Sequence, residues 1–192
     1  MIIPYAIPVF ISFIVWQSFY NKDFGLINSM LGGAKIDWLG DPLLAKIAVL
    51  LTNLWVGFPY MFLIATGALQ ALPQDVAEAA KIDGASGWTT FTKVQFPLLL
   101  VAVAPLLVSS FAFNFNNFNL IFLLTGGGPR NDLDGEIAGA TDILISYTYK
   151  IAFGSSVQDL GLASAISVVI FILVAGISLY GIRKSKVLEE FI

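Results

Sequence analysis

Four long apolar runs limit what this chain can fold into. The runs cover approximately residues 1–20, 44–70, 98–124 and 160–182. Polar connections occupy residues 21–43, 71–97 and 125–159. About 20 apolar residues in a helix cross the roughly 30 Å hydrocarbon core of a bilayer. Because lipid offers no hydrogen-bond partner to the backbone, only helices and closed barrels span membranes. We therefore predict an all-α, polytopic membrane protein with about four transmembrane helices.

The composition supports this class and excludes several kinds of site. Of the 192 residues, 57% are hydrophobic and 12% are charged, about half the charged share of a typical soluble domain. Cysteine and histidine are absent from the sequence. This excludes disulfides, thiol catalysis, the usual zinc ligands and a histidine base. The formal charge of −3 does not favour a nucleic acid as partner.

The ends of the runs suggest an orientation. If all four runs span, both termini lie on one side, and the basic cluster Arg183-Lys184-Ser185-Lys186 favours the cytoplasm for that side. Loop 71–97 is then cytoplasmic as well, and the other two connections lie outside. The first run lacks the basic start and cleavage site of a signal peptide. Since Met1 is followed at once by apolar residues, we expect the chain to begin partway through a longer protein.

The connection 71–97 is predicted to contain a short amphipathic helix. Pro73 suits its first turn, Asp75 places negative charge near its N-terminus, and Gly84 suits its C-terminal stop. Its expected apolar side consists of Val76, Ala79, Ala80 and Ile82, and its expected wet side of Glu78, Lys81 and Asp83. A second helical piece is expected from Trp88 to Phe96. The pattern fits a docking element for a soluble partner and equally a plain hairpin between two spans.

The third run carries polar residues that a lipid-facing helix would not. Ser110, Phe113, Asn114 and Asn117 follow the spacing i, i+3, i+4, i+7, which predicts one shared helical face. An asparagine amide facing lipid would cost some kcal/mol, so each must face another helix, water or a ligand. Amides and aromatic rings together suit the hydroxyls and apolar faces of a sugar. Hydrogen bonds between helices are the alternative.

Glycine and proline mark three further positions. Gly57-Phe58-Pro59-Tyr60 predicts either a broken helix beside a cavity or a simple proline kink, and Pro105 predicts a kink in the third run. Gly126-Gly127-Gly128-Pro129 lacks the Gly-Lys-Ser/Thr of a phosphate loop, so we interpret it as a turn that ends the third run. A short helix is expected within residues 143–153.

The connection 71–97 also resembles a known family. Glu78-Ala79-Ala80, Asp83-Gly84-Ala85 and Phe96-Pro97-Leu98 are similar in type and spacing to the EAA signature of ABC importer permeases. The resemblance implies that loop 71–97 is a coupling helix docked on an ATP-hydrolysing subunit. The coupling residues that it implies are Glu78, Ala79, Ala80, Asp83 and Gly84, with Glu78 as polar anchor and Gly84 as the turn.

Longer stretches resemble the permease subunits of maltose/maltodextrin importers within that family. The matching stretches are Pro4–Pro8, Gly57–Met61, Ser110–Phe118, Leu124–Pro129 and Tyr147–Phe153. They extend nearly end to end over this chain but cover only the C-terminal part of that larger subunit. The sugar pocket that the resemblance implies consists of Val56, Gly57, Tyr60, Ser110, Phe113, Asn114 and Asn117. Position 56 is commonly leucine in that family.

The resemblance implies a single type I permease domain over residues 1–192, in a bacterial inner membrane, that moves maltose or maltodextrins inward. It implies no enzymatic activity, cofactor or metal of its own, because ATP is hydrolysed by another subunit. The implied partners are a dimer of ATP-hydrolysing subunits, a second permease subunit and an extracytoplasmic sugar-binding protein.

Alternatives remain open at this stage. A permease of the same family could carry another sugar or a glycerol phosphate, although a phosphate favours arginine or lysine in the cavity, and the middles of the second and third runs contain neither. A secondary transporter or channel would need ionisable groups or a filter inside the membrane. A plain membrane anchor would leave the asparagine-phenylalanine stretch unexplained.

Overall fold

Every regular element in the described part of the chain is helical, as predicted. The computed structural model describes residues 3–130, 137–154 and 158–184. Ser185 and Lys186 of the basic cluster lie outside these ranges. The helices are α1 (Ile3–Ala6), α2 (Val9–Phe19), α3 (Leu26–Met30), α4 (Pro42–Ala71), α5 (Gln74–Ile82), α6 (Gly87–Phe115), α7 (Phe118–Leu124), α8 (Leu144–Tyr149) and α9 (Leu160–Lys184). Two short π-helical stretches occur, Phe91–Gln95 within α6 and Lys150–Gly154 after α8.

Three of the described helices are long and apolar enough to cross a membrane. They are Pro42–Ala71, Gly87–Phe115 and Leu160–Arg183. The first predicted run differs, because it forms two pieces, α1 and the 11-residue α2. Pro8 separates them with an extended ψ of 126°, and a proline supplies no N–H for a continuous helix. At about 1.5 Å per residue, α2 is roughly 16 Å long, half the thickness of the hydrocarbon core.

The third run also differs from its predicted boundaries of 98–124. Helix α6 begins at Gly87, so the piece expected from Trp88 to Phe96 continues directly into the span instead of ending before Pro97. The N–H of Phe96 bonds to the carbonyl of Phe91, five residues back. Pro97, which has no N–H to donate, follows at once and lies inside the helix, as Pro105 does. Helix α6 ends at Phe115, and the apolar run continues as the separate helix α7.

Helix α4 runs without interruption through Pro59, which is buried. The broken helix that the sequence allowed at this position is therefore absent, and a proline inside a continuous helix is what the structure contains. Gly57 adds an opening on the same helix, because a Cβ built there would meet no other atom within 4 Å.

The described residues divide into two compact units. Unit 1 takes its residues from Met1–Pro59 and Asn114–Leu173, and unit 2 from Tyr60–Phe113 and Val174–Ile192. One hydrophobic cluster of unit 1 consists of Phe13, Tyr20, Ala48, Leu120 and Leu124, and a second consists of Ile151, Ala152 and Ala163. The Tyr20 hydroxyl donates to the carbonyl of Ala48 at 3.3 Å, which ties the end of α2 to α4. In unit 2, Gly181 lies close to Val108, since a Cβ built at Gly181 would lie 3.0 Å from the Val108 side chain.

The connection after α7 is built around a buried ion pair in unit 1. The turn predicted at 126–129 is confirmed, with positive φ at Gly126 (61°) and Gly127 (82°), and α8 confirms the helix expected within 143–153. Lys150 Nζ lies 2.5 Å from Asp142 Oδ2, with the two side chains 11% and 4% exposed. Asp142 also accepts from the Gly139 N–H at 2.6 Å and from the Ser146 hydroxyl at 2.8 Å. The carboxylate therefore links three parts of the described segment 139–150.

Candidate functional site

The seven residues of the implied sugar pocket divide between the two units. Val56, Gly57, Asn114 and Asn117 belong to unit 1, and Tyr60, Ser110 and Phe113 belong to unit 2. Within unit 2, Ser110 and Phe113 are one helical turn apart on α6, and the Phe113 ring is 67% exposed. Within unit 1, the structure brings part of the implied set together through a residue that the sequence reasoning missed.

That residue is Asn53. Its Nδ2 donates to Asn114 Oδ1 at 2.9 Å, so the two amides join α4 to the last turn of α6 across 61 residues of sequence. Asn53, Val56 and Gly57 follow the spacing i, i+3, i+4, which puts them on one face of α4. The same face therefore carries an amide, a half-buried aliphatic side chain and the opening at Gly57. An asparagine in the apolar second run was the signal in the sequence, but its partner could not be read from local spacing.

Asn117 does not share the face predicted for it. Helix α6 ends two residues earlier, so the i+7 relationship to Ser110 does not exist. Instead, Asn117 is the N-cap of α7, where its Oδ1 accepts from the backbone N–H of Leu120 at 3.3 Å. Asparagine is a favoured N-cap because it satisfies a backbone donor at the start of a helix. The common helical face is thus reduced to Ser110, Phe113 and Asn114.

The predicted amphipathic helix of the connection 71–97 is present as α5, from Gln74 to Ile82. Its end has the predicted chemistry. Gly84 has a φ of 81°, its N–H bonds to the carbonyl of Lys81, and the N–H of Ala85 bonds to the carbonyl of Ala80, both at 3.0 Å. This pair of bonds is the Schellman motif, which glycine favours because the left-handed conformation strains residues with a Cβ. The helix therefore stops at a defined residue and angle.

The two sides of α5 differ from the prediction. The half-buried residues are Val76, Ala77 and Ala80, whereas Ala79 is exposed and Ile82 is 86% exposed. Successive helical residues are about 100° apart, so Val76, Ala77 and Ala80 cluster on one side and Ile82 points away from it. The error arose because alanine and isoleucine were grouped by polarity alone. The outward surface of α5 thus combines Glu78 with Ala79 and Ile82.

A cleft lies beside α5 in unit 2. Its volume is about 400 Å³, and its polar lining comprises Gln70, Gln74, Glu78, Lys81 and Gln95. Ser86 follows the turn and caps α6, since its hydroxyl accepts from the N–H of Thr89 at 3.2 Å. Trp88, in the first turn of α6, is 74% exposed. This part of unit 2 therefore offers a cleft lined by one acidic and one basic side chain, Glu78 and Lys81. Two large apolar side chains nearby in the sequence, Ile82 and Trp88, are exposed.

Residues 1–185 match the family described as "Binding-protein-dependent transport system inner membrane component". The chain is 48% identical over 194 residues to the maltose/maltodextrin transport system permease protein MalF of Vibrio parahaemolyticus, covering 99% of this chain and 37% of that protein. For MalF of Salmonella typhimurium the identity is 45%, over 97% of this chain and 37% of the relative. The chain thus spans a little over a third of the length of these curated relatives.

Two solved structures share the fold. One is a bacterial ABC transporter involved in the import of the acidic polysaccharide alginate, with a TM-score of 0.73 and 18% identity, covering 96% of this chain and 62% of that chain. The other is a bacterial alginate ABC transporter in complex with an alginate pentasaccharide-bound periplasmic protein, with a TM-score of 0.70 and 20% identity, covering 95% and 60%. At these identities the likeness concerns the fold alone.

Proposed function

The chain belongs to the family of inner membrane components of binding-protein-dependent transport systems, and from this premise we propose that it acts as a permease subunit of an ATP-driven importer of maltose and maltodextrins. The identity to MalF proteins supports the substrate class. The observation that carries the proposal in the structure is the Asn53–Asn114 amide pair beside the opening at Gly57. Polar groups inside membrane-spanning helices are retained mostly where they serve a pathway or a contact between helices.

The proposed sugar site uses amides and rings from α4 and α6. Asn114 and Ser110 supply hydrogen-bonding groups for sugar hydroxyls, and Phe113 supplies an exposed aromatic face. Val56 and Gly57, on the same face of α4 as Asn53, are proposed as further contacts, and a Cβ built at Gly57 would meet no other atom within 4 Å. The hydrogen bond from Asn53 fixes which end of the Asn114 amide faces α4. Held amides of this kind lose little rotamer freedom when a ligand arrives.

Energy for transport is proposed to come from other chains. The sequence contains no phosphate-binding loop, so an ATP-hydrolysing dimer is expected to dock on α5 through Glu78, Ala79, Ala80, Asp83 and Gly84. The exposed Ile82 adds an apolar contact to that surface. A second permease subunit would complete the pathway, and an extracytoplasmic binding protein would deliver the sugar. In this arrangement loop 71–97 and the C-terminus are cytoplasmic.

Substitution of Asn114 tests the sugar site. In proteoliposomes that contain the complete transporter and its binding protein, we expect Asn114→Leu to abolish maltose uptake while the subunits remain assembled. Asn119→Leu is the matched control, because it makes the same change at an exposed position of α7 outside the implied pocket. Asn117→Asp keeps an oxygen for the cap of α7 but loses the amide donors. Equal uptake by Asn114→Leu and Asn119→Leu would refute the site.

Charge reversal on α5 tests the coupling surface. We expect Glu78→Lys to release the ATP-hydrolysing subunits or to uncouple hydrolysis from uptake, since a cation would replace the polar anchor. Lys35→Glu is the control, because it reverses an exposed charge on the loop at 21–41 and disturbs only an exposed ion pair. ATP hydrolysis and sugar uptake are measured together. Normal coupling in Glu78→Lys would count against docking at α5.

A further inference from the structure

The loop between α2 and α4 is held rigid by one buried asparagine. Asn28 is 3% exposed, and its Nδ2 donates to the carbonyls of Lys22 at 3.0 Å and Ile36 at 2.8 Å. Its Oδ1 accepts from the indole N–H of Trp38 at 2.9 Å. The single side chain therefore ties both ends of the loop together around α3.

The rigid loop presents apolar side chains outward. The exposed fractions are 77% for Phe24, 48% for Leu26, 79% for Met30 and 54% for Leu31. The nearby charges pair with one another, Lys22 with Asp37 at 3.4 Å and Lys35 with Asp23 at 3.7 Å. The exposed surface of the loop thus combines these four apolar side chains with solvated ion pairs.

An apolar groove lies beside the same loop, entirely within unit 1. Its volume is about 520 Å³, and Ile27 of α3 lines it together with Trp16, Tyr20, Trp38, Leu51 and Trp55. The rings are in mutual contact, with centroid distances of 5.5 Å for Trp16–Tyr20 and 5.9 Å for Trp16–Trp55. Tryptophan and tyrosine concentrate where membrane helices meet the headgroup region. The groove therefore marks the level of the membrane interface in this unit.

We propose that the loop at 21–41 is an interfacial anchor and that the groove holds an acyl chain of a phospholipid. The exposed side chains of α3 and its flanks enter the boundary between headgroups and acyl chains, as apolar faces of interfacial helices do. The proposal requires only that the chain is in a membrane, so it does not depend on which sugar is transported or on the orientation of the chain.

Lipid is the occupant because the surface is continuous with the membrane-spanning helices. The loop leaves the apolar helix α2 directly, and Leu51 and Trp55 of the groove belong to α4, which is of spanning length. Exposure of four large apolar side chains to water would also be unfavourable.

Spin labels can test the position of the loop, because the chain contains no cysteine. Phe24→Cys, Met30→Cys and, as control, Lys35→Cys are labelled in the complete transporter, after any cysteine elsewhere in the complex has been replaced by serine. The transporter is placed in nanodiscs of phosphatidylethanolamine and phosphatidylglycerol. We expect labels at 24 and 30 to be more accessible to oxygen than to aqueous nickel ethylenediaminediacetate, and the label at 35 to show the opposite order.

Two results would overturn the anchor. Labels at 24 and 30 that collide freely with the aqueous reagent would place the loop in water. Labels that lose this accessibility only after the binding protein is added would show that a protein, not lipid, covers the surface. Loss of sugar uptake does not enter either readout, so failure here is distinct from failure of the proposed function.

Occupancy of the groove by a phospholipid can be measured separately. Leu51→Trp should fill the groove, whereas Leu50→Trp makes the same change at the neighbouring exposed position, which does not line it. Native mass spectrometry of the purified transporter counts the phospholipids that remain bound. We expect Leu51→Trp to retain one phospholipid fewer than Leu50→Trp. Equal counts would show that no acyl chain occupies the groove.

Discussion

Replacement of Lys150 by methionine tests the most buried electrostatic contact in the described residues of unit 1. Lys150→Met removes the ammonium 2.5 Å from Asp142 but keeps a side chain of similar length. The carboxylate is 4% exposed, so water cannot take the place of the lysine without local opening. Its contacts with the N–H of Gly139 and the hydroxyl of Ser146 remain. The variant therefore leaves a buried negative charge with only neutral donors.

The expected cost follows from this geometry. Breaking a buried ion pair by removal of one partner typically costs about 3–5 kcal/mol. The two remaining hydrogen bonds compensate part of the charge, so we expect the lower end, about 3 kcal/mol for local opening of this connection. Since about 1.4 kcal/mol corresponds to a tenfold change, the open fraction should rise roughly a hundredfold. Lys22→Met is the matched control, because its pair with Asp37 is half exposed and should contribute at most about 1 kcal/mol.

Hydrogen exchange of the complete transporter in nanodiscs, read by mass spectrometry, measures both effects. Peptides that contain residues 139–150 should exchange much faster in Lys150→Met, while peptides of the loop at 21–41 should change little in Lys22→Met. Asp142→Asn combined with Lys150→Met should recover part of the protection, because no buried charge remains. Two results would show that the buried pair does not organise this segment. One is an exchange rate of the 139–150 peptides in Lys150→Met that rises no more than that of the 21–41 loop in Lys22→Met. The other is exchange in the double variant that is no slower than in Lys150→Met alone.

Two further substitutions test local structure. Asn28→Leu removes three hydrogen bonds and leaves the indole N–H of the half-buried Trp38 without its acceptor, which should cost about 1–3 kcal/mol. Exchange across residues 22–38 should accelerate at least about fivefold, and unchanged protection would show that Asn28 does not hold the loop. Gly84→Ala places a Cβ at a φ of 81°, which should cost about 1–2 kcal/mol and expose the last turn of α5. Its control is Gly67→Ala within α4, where a Cβ meets no atom within 4 Å. A greater loss of protection in Gly67→Ala than in Gly84→Ala would contradict the argument.

Local sequence patterns predicted the features that depend on neighbouring residues. The apolar runs predicted the all-helical class and most span positions, because hydrocarbon accepts only backbones whose hydrogen bonds are satisfied internally. Gly84 predicted the end of α5, and Gly126-Gly127 predicted the turn after α7, since both need a positive φ that glycine adopts without strain. Helical spans and glycine turns depend on the conformational preferences of a few neighbouring residues, so they can be predicted from local composition and spacing.

Spacing failed where two local signals competed. The apolar run predicted one helix over 98–124, but the capping bond of Asn117 starts a new helix inside it, and the predicted pocket face lost that residue. Grouping by polarity likewise put Ile82 on the packed side of α5, whereas the helix packs through Val76, Ala77 and Ala80. In the first case a capping hydrogen bond decided where a helix begins, and in the second the packing of α5 decided which of its sides is covered.

Only the tertiary structure determines which residues that are distant in sequence come into contact. Asn53 meets Asn114 across 61 positions, and the groove at Trp16 and Trp55 forms only once α2 lies against α4. No periodicity links these residues, because the partner of a polar or aromatic side chain is chosen by how whole helices pack. The sequence therefore specified the helical class and the glycine turns, whereas helix packing decided which side chains meet in the candidate site and in the lipid groove.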